Sequence, residues 1–110
     1  MSGDSRVEHD ISRGLTDIQS TQDRNELQAK LTAVLARLSR DTATSESKRR
    51  ALALAIRGFE AKLKSISAER EFYENDRGEV AEATRDASRA DAWRVRADTL
   101  LRAAEQALRS

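Results

Sequence analysis

Between Leu52 and Tyr73 the large apolar side chains Leu52, Ile56, Phe59, Leu63, Ile66 and Tyr73 recur four and three residues apart, skipping only Arg70. That spacing puts them on one stripe of an α-helix, as in the seam of a coiled coil. A bulky stripe of this length is not stable in water, so the fold has to bury it against a bilayer, another chain or another segment of this one. The stretch from Arg49 to Ile66, RRALALAIRGFEAKLKSI, sharpens the choice because its opposite side is basic.

The end of the chain offers the partner. From Val80 onward the apolar positions are mostly small: Val80, Ala83, Ala87, Ala90, Trp93, Ala97, Leu100, Leu101, Ala104 and Leu108. Between the two runs lies ENDRGE, Glu74 to Glu79. There Asn75 and Gly78 tolerate positive φ, and Asp76 with Glu79 fits a capping box for a new helix. A reversal at Asp76 and Arg77 makes an antiparallel hairpin pairing residues whose numbers add to about 153. Leu52 then meets Leu101, Ile56 meets Ala97, Leu63 meets Ala90, and Phe59 falls beside Trp93, so bulky side chains oppose small ones. The same register sets Lys48 against Glu105 and Lys62 against Asp91, and leaves one mismatch, Arg57 against Arg96.

Burying six large side chains contributes roughly 9 to 18 kcal/mol before chain entropy is subtracted, a thin margin for two helices. The first part of the chain is therefore expected to join them. Val7, Ile11, Leu15 and Ile18 form one helical face, with Ser2 and Asp4 available as caps and Gly14 costing about 1 kcal/mol in its interior. Leu27, Leu31, Val34 and Leu38 form another, widened by Leu35. The polar run QSTQDRN, Gln19 to Asn25, reads as a break or kink, with Ser20 and Asp23, or Asp23 and Glu26, as a capping box. The clearest loop is DTATSES, Asp41 to Ser47, after which Thr44 or Ser45 starts the next helix.

The chain contains no proline to interrupt these helices. The expectation is an all-α fold, an antiparallel three- to four-helix bundle built around a long helical hairpin. Residues 1–110 form a single helical domain with helices over roughly 4–19, 21–41, 45–75 and 78–109. Leu54, Phe72, Val95 and Leu100 sit off or at the edge of the main seam, so apolar surface is expected to remain for self-association.

For function, composition excludes more than it indicates. Acids number 19 and bases 20, so no global field attracts or repels nucleic acid. No apolar run is long enough for a membrane span, and MSGDSRVEHD at the start has no signal-peptide core, which points to a soluble, cytoplasmic protein. The abundance of Ala and Arg suits a GC-rich bacterial genome. His9 is the single histidine and cysteine is absent. Glu8, His9 and Asp10 are adjacent on a helix and diverge, so they cannot share one ion. The glycines, at positions 3, 14, 58 and 78, are isolated and build no phosphate loop. Gly58 reads as a tolerated interior glycine or as a point of close approach by another helix. No catalytic residue, metal site or cofactor is expected.

The basic residues are the functional lead. Lys48, Arg49 and Arg50 crowd the first turns of a helix, where the macrodipole disfavours positive charge by some 0.3 to 1 kcal/mol each. Arg50, Arg57 and Lys64 recur every seven residues and form one stripe. Arg49, Arg50, Arg57 and Lys64, with Phe72 as an exposed aromatic anchor, are the candidate partner-binding residues. The chain reads as a non-enzymatic helical protein–protein interaction module, either a homodimer or an adaptor for another helical protein. The alternative is a nucleic-acid or anionic-surface binder using the basic stripe.

Overall fold

In a computed structural model the backbone is described for residues 3–74 and 80–110, and the side chains for 3–70 and 87–110. Four helices follow one another: α1 Gly3–Ser20, α2 Arg24–Leu38, α3 Glu46–Glu74 and α4 Val80–Arg109. They form an all-α bundle in which α3 and α4 pack extensively as a long hairpin. The α1–α2 pair lies along one part of that hairpin, and the molecule is elongated, 51 × 22 × 20 Å. The turn residues Asn75, Asp76 and Gly78 lie outside the described residues.

Local chemistry explains the helix ends. Asp23 is the N-cap of α2, its carboxylate accepting from the amides of Asn25 at 2.9 Å and Glu26 at 3.4 Å, so the chain breaks over residues 21–23. Ser45 caps α3, its hydroxyl accepting from the Lys48 amide at 3.1 Å. Asp4 is not the cap of α1. It lies inside the first turn and accepts from the Thr44 amide at 2.7 Å and the Ser45 amide at 3.4 Å, tying α1 to the loop that precedes α3. These amides hold the Asp4 carboxyl below its ordinary range, Thr44 first.

α3 buries two different faces. Its small residues, Ala51, Ala55, Gly58, Ala61 and Ser65, are buried. A Cβ placed on Gly58 would lie 2.7 Å from Leu101 Cδ2 and 3.3 Å from Leu100 Cβ, so this strip is where α4 approaches. Its larger residues point elsewhere. Phe59 is fully buried, and its ring fills the space that a Cβ on Gly14 of α1 would need. Val7 and Ile11 of α1, Leu27, Leu31, Val34 and Leu38 of α2, and Leu101, Ala104 and Ala107 of α4 complete the core. Leu52, Ile56 and Leu63 are half-buried at its edge.

The hairpin register therefore differs from the expected one. Lys64 faces Trp93, Gly58 faces Leu100 and Leu101, and Lys48 Nζ donates to the Leu108 carbonyl at 2.7 Å. These pairs have numbers adding to about 157, one helical turn beyond the rule of 153. The cause is steric: glycine at 58 is the place on α3 where the branched Leu101 can enter, and that contact sets the slide. Neither expected flank pair forms. Lys48 lies 3.7 Å from Glu8, Asp91 pairs with Arg94, and Glu105 lies 3.7 Å from Arg109. Phe59 packs under α1 and not beside Trp93.

Glycine in a helix interior normally costs about 1 kcal/mol relative to alanine, so Gly14→Ala would ordinarily stabilise α1. Here the new methyl overlaps the Phe59 ring, and overpacking costs about 1 to 3 kcal/mol. Gly14→Ala is expected to lower stability in denaturant unfolding, and to do so much less in a Phe59→Leu background, where the ring is gone. Equal effects in both backgrounds would remove this packing account.

Candidate interaction surface

The outer face of the hairpin, away from α1, is built by the register just described. On α3, Arg50, Arg57 and Lys64 are exposed and separated by two turns each, about 10.5 Å along the axis. On α4, Trp93, Arg96 and Leu100 occupy one side by the three-and-four spacing of a helix. Together Arg57, Glu60, Lys64, Trp93, Arg96 and Leu100 line a shallow cleft of about 100 Å³. Trp93 is half-buried in it, with the Lys64 ammonium 4.5 Å and the Arg96 guanidinium 5.6 Å from the ring centre. Cations over an indole face are attracted by its quadrupole, which orders both side chains at the rim of the cleft.

Three arginines on or beside this face carry no ion pair. The side chains of Arg49, Arg50 and Arg57 make no hydrogen bond or ion pair with any described residue. Several other bases are matched, Arg24 with Glu69 at 3.2 Å, Lys30 with Glu26 at 3.3 Å and Lys48 with Glu8, while Arg13, Arg40 and Arg102 also lack an ion pair among the described residues. Arg70 donates to the side chains of Asn25 and Gln28, fastening the start of α2 to α3. Of the candidate residues, the structure brings Arg57 and Lys64 together in the cleft and places Arg50 on the same stripe. Arg49 is exposed but lies about 100° further round the helix than Arg50. Phe72 is in the last turn of α3, and its side chain lies outside the described residues.

For Trp93 the sequence leaves core and binding hot spot open, and the expected register favours the core beside Phe59; Arg96 shows there only as a charge mismatch. The signal was present as the single mismatch of that register, Arg57 against Arg96. Those two side chains now line one cleft. Less apolar surface is exposed than expected: Leu54 and Leu100 are half-buried, and Val95, 51% exposed, is the one large exposed apolar side chain among the described residues.

On the other side of the hairpin, α1 and α4 leave an open groove. Leu15 and Ile18 face Asp98, Leu101 and Arg102 across about 250 Å³, and the groove continues past Glu105 toward Glu8 and Leu108. Lys62 enters it half-buried, its ammonium pushed below the ordinary lysine range by burial first and then by Arg24. His9 is exposed, and among the described residues no three histidine or carboxylate side chains converge on a point. In comparisons with known proteins, no family model, no curated sequence and no solved structure matches the chain.

A second charged cluster joins α1 to the loop after α2. The Asp41 carboxyl meets Asp10, which is 7% exposed, with Arg6 and Arg37 nearby. Arg37 Nε lies 3.7 Å from Asp10 Oδ1 and has no hydrogen-bond partner, nor has the buried Asp41 Oδ2. Burial, and then the adjacent Asp10 carboxyl, push Asp41 from 3.8 up to about 6. A raised folded-state value means the folded form holds the proton more tightly than the unfolded chain. The stability it contributes is complete below 3.8 and lost as pH rises through about 6. Asp4, lowered, stays ionised through that window. The melting temperature is therefore expected to be higher at pH 5 than at pH 7, and Asp41→Asn should flatten the difference and raise the value at pH 7. A native profile flat over that range would show that burial beside Asp10 does not raise the Asp41 carboxyl.

Proposed function

We propose that the chain is a non-enzymatic helical protein–protein interaction module, adaptor-like, whose contact surface is the outer face of the α3–α4 hairpin. The observation that carries this reading is the half-buried Trp93 set between Lys64 and Arg96, next to arginines that no described acid neutralises. An indole in a cleft rimmed by cationic side chains matches the make-up of interface hot spots, which are enriched in Trp and Arg. Arg50 near the start of α3 is disfavoured by the helix dipole, and an acidic partner would offset that.

The partner in this reading is another helical protein, with a second copy of the chain as the competing occupant of the same face. A twofold interface brings the same patch against itself: an axis at Arg57 sets Arg57 on Arg57 and Arg50 on Lys64, whereas an axis nearer the start of α3 sets Arg50 on Glu60 and Glu46 on Lys64. The unneutralised stripe also favours a second reading, a nucleic-acid or anionic-surface binder, in which phosphates take the place of a partner's carboxylates.

Two measurements separate these readings. Sedimentation at several protein concentrations and two salt concentrations, with and without duplex DNA, should give a monomer throughout and no DNA-bound species near physiological salt. A dimer would return the self-associating form of the proposal, and a salt-sensitive DNA complex would favour the second reading. A photo-crosslinking residue at position 96 should yield discrete protein adducts in the native host, and one in place of the exposed Arg13 on α1 should not. Equal adducts from both positions, or none from position 96, would remove the proposed surface.

A further inference from the structure

The order of charges along the outer face of α3 indicates what kind of partner it takes, given that the α3–α4 hairpin is the contact surface. From the start of α3 the exposed stripe reads Glu46, Arg50, Arg57, Glu60, Lys64. Glu46 lies four residues before Arg50 and Glu60 four before Lys64, so both acids share the helix face of the cations. Neither forms an ion pair with the neighbouring base. A continuous polyanion, whether a nucleic-acid backbone or an anionic bilayer, would meet like charge at Glu46 and Glu60. A partner of mixed charge in a matching order would not.

We propose that this face docks an amphipathic helix of a partner protein, lying along α3 with carboxylates opposite Arg50, Arg57 and Lys64 and a basic side chain opposite Glu60. The cations are spaced at heptad intervals, and a straight helix presents its own residues at the same intervals of about 10.5 Å. The axis direction is set by the dipole. Arg49 and Arg50 sit at the positive end of α3, so the negative C-terminal end of the incoming helix belongs there, and the two run antiparallel. The apolar side of the guest faces the shallow cleft, where Trp93 and Leu100 form the floor and Arg96 closes the far rim. Trp93 is then the anchor, and the charges set the register.

Trp93 is the only tryptophan in the chain, so its fluorescence reports occupancy of the cleft. The probe is a synthetic helical peptide carrying Glu and Lys complementary to Lys64, Glu60, Arg57, Arg50 and Glu46 in that order, with a leucine aimed at the cleft. Its control has the same composition with the charged residues permuted. The ordered peptide should shift the emission saturably and bind about tenfold or more tightly than the permuted one, since four or five exposed ion pairs of about 1.5- to 5-fold each multiply. Arg57→Glu should weaken the preference severalfold, and exchanging the facing peptide Glu for Lys should restore it. That rescue separates a lost contact from a damaged fold. Equal binding of the two peptides, no saturable shift, or tighter binding of duplex DNA or phosphatidylserine vesicles than of the ordered peptide would each overturn the proposal. Adducts from position 96 that persist despite such a result would leave the interaction module standing and remove only this partner class, whereas loss of those adducts would remove the surface itself.

Discussion

Glycine at position 58 lets α4 come close to α3, and much else follows from that one approach. Leu101 enters where a side chain would otherwise stand, and this fixes how far the two long helices slide past each other. The slide decides which residues of α4 lie over the bundle interior and which lie outside. With Leu101, Ala104 and Ala107 turned inward, Trp93, Arg96 and Leu100 border the cleft on the outer face. One turn of displacement would place the indole over Phe59 and leave the basic stripe without an aromatic beside it. The position of the candidate surface is thus a packing outcome before it is an electrostatic one.

The second close approach, Gly14 over the Phe59 ring, does the equivalent for α1. It seats α1 on the large-residue face of α3, while α2 is held at its start by Arg70 and by the pair of Arg24 with Glu69. Asp4 closes the other end against the loop at Thr44 and Ser45. α3 accordingly has neighbours on two sides, and its remaining side, bearing Arg50, Arg57 and Lys64, stays exposed. The stripe is exposed because no helix of this bundle covers it.

The helices were legible in the sequence because their signals are local. The four-and-three spacing, the absence of proline, Asp23 and Ser45 as caps and the polar loop DTATSES each act within one or two turns. The antiparallel hairpin was legible too, since bulky and small apolar runs of similar length invite each other. What could not be read locally was the register and the division of α3 into two buried faces. The seam of Leu52, Ile56 and Leu63 drew attention to the large residues, yet the side that α4 covers is the small one, Ala51, Gly58, Ala61 and Ser65. A glycine in a helix counts as a local penalty until its neighbour across the interface is known, and both Gly14 and Gly58 changed meaning for that reason. The same error of one turn favoured the core for Trp93, while the basic residues of the stripe, being exposed in any register, were found directly.

Leaving arginines unpaired on a chain with 19 acids has a consequence for stability as well as for recognition. Exposed ion pairs contribute little, typically under about 1 kcal/mol, so neutralising Arg50 or Arg57 internally would stabilise the bundle only slightly. Keeping them free costs correspondingly little in the monomer, while each can discriminate between partners by charge. Interleaving Glu46 and Glu60 weakens attraction to any anion at large, lowering non-specific affinity at the same time as it raises dependence on order. A surface meant for phosphate would gain from replacing both acids. On the proposed reading, their presence on this face favours a folded partner with its own charge pattern over a uniform polyanion.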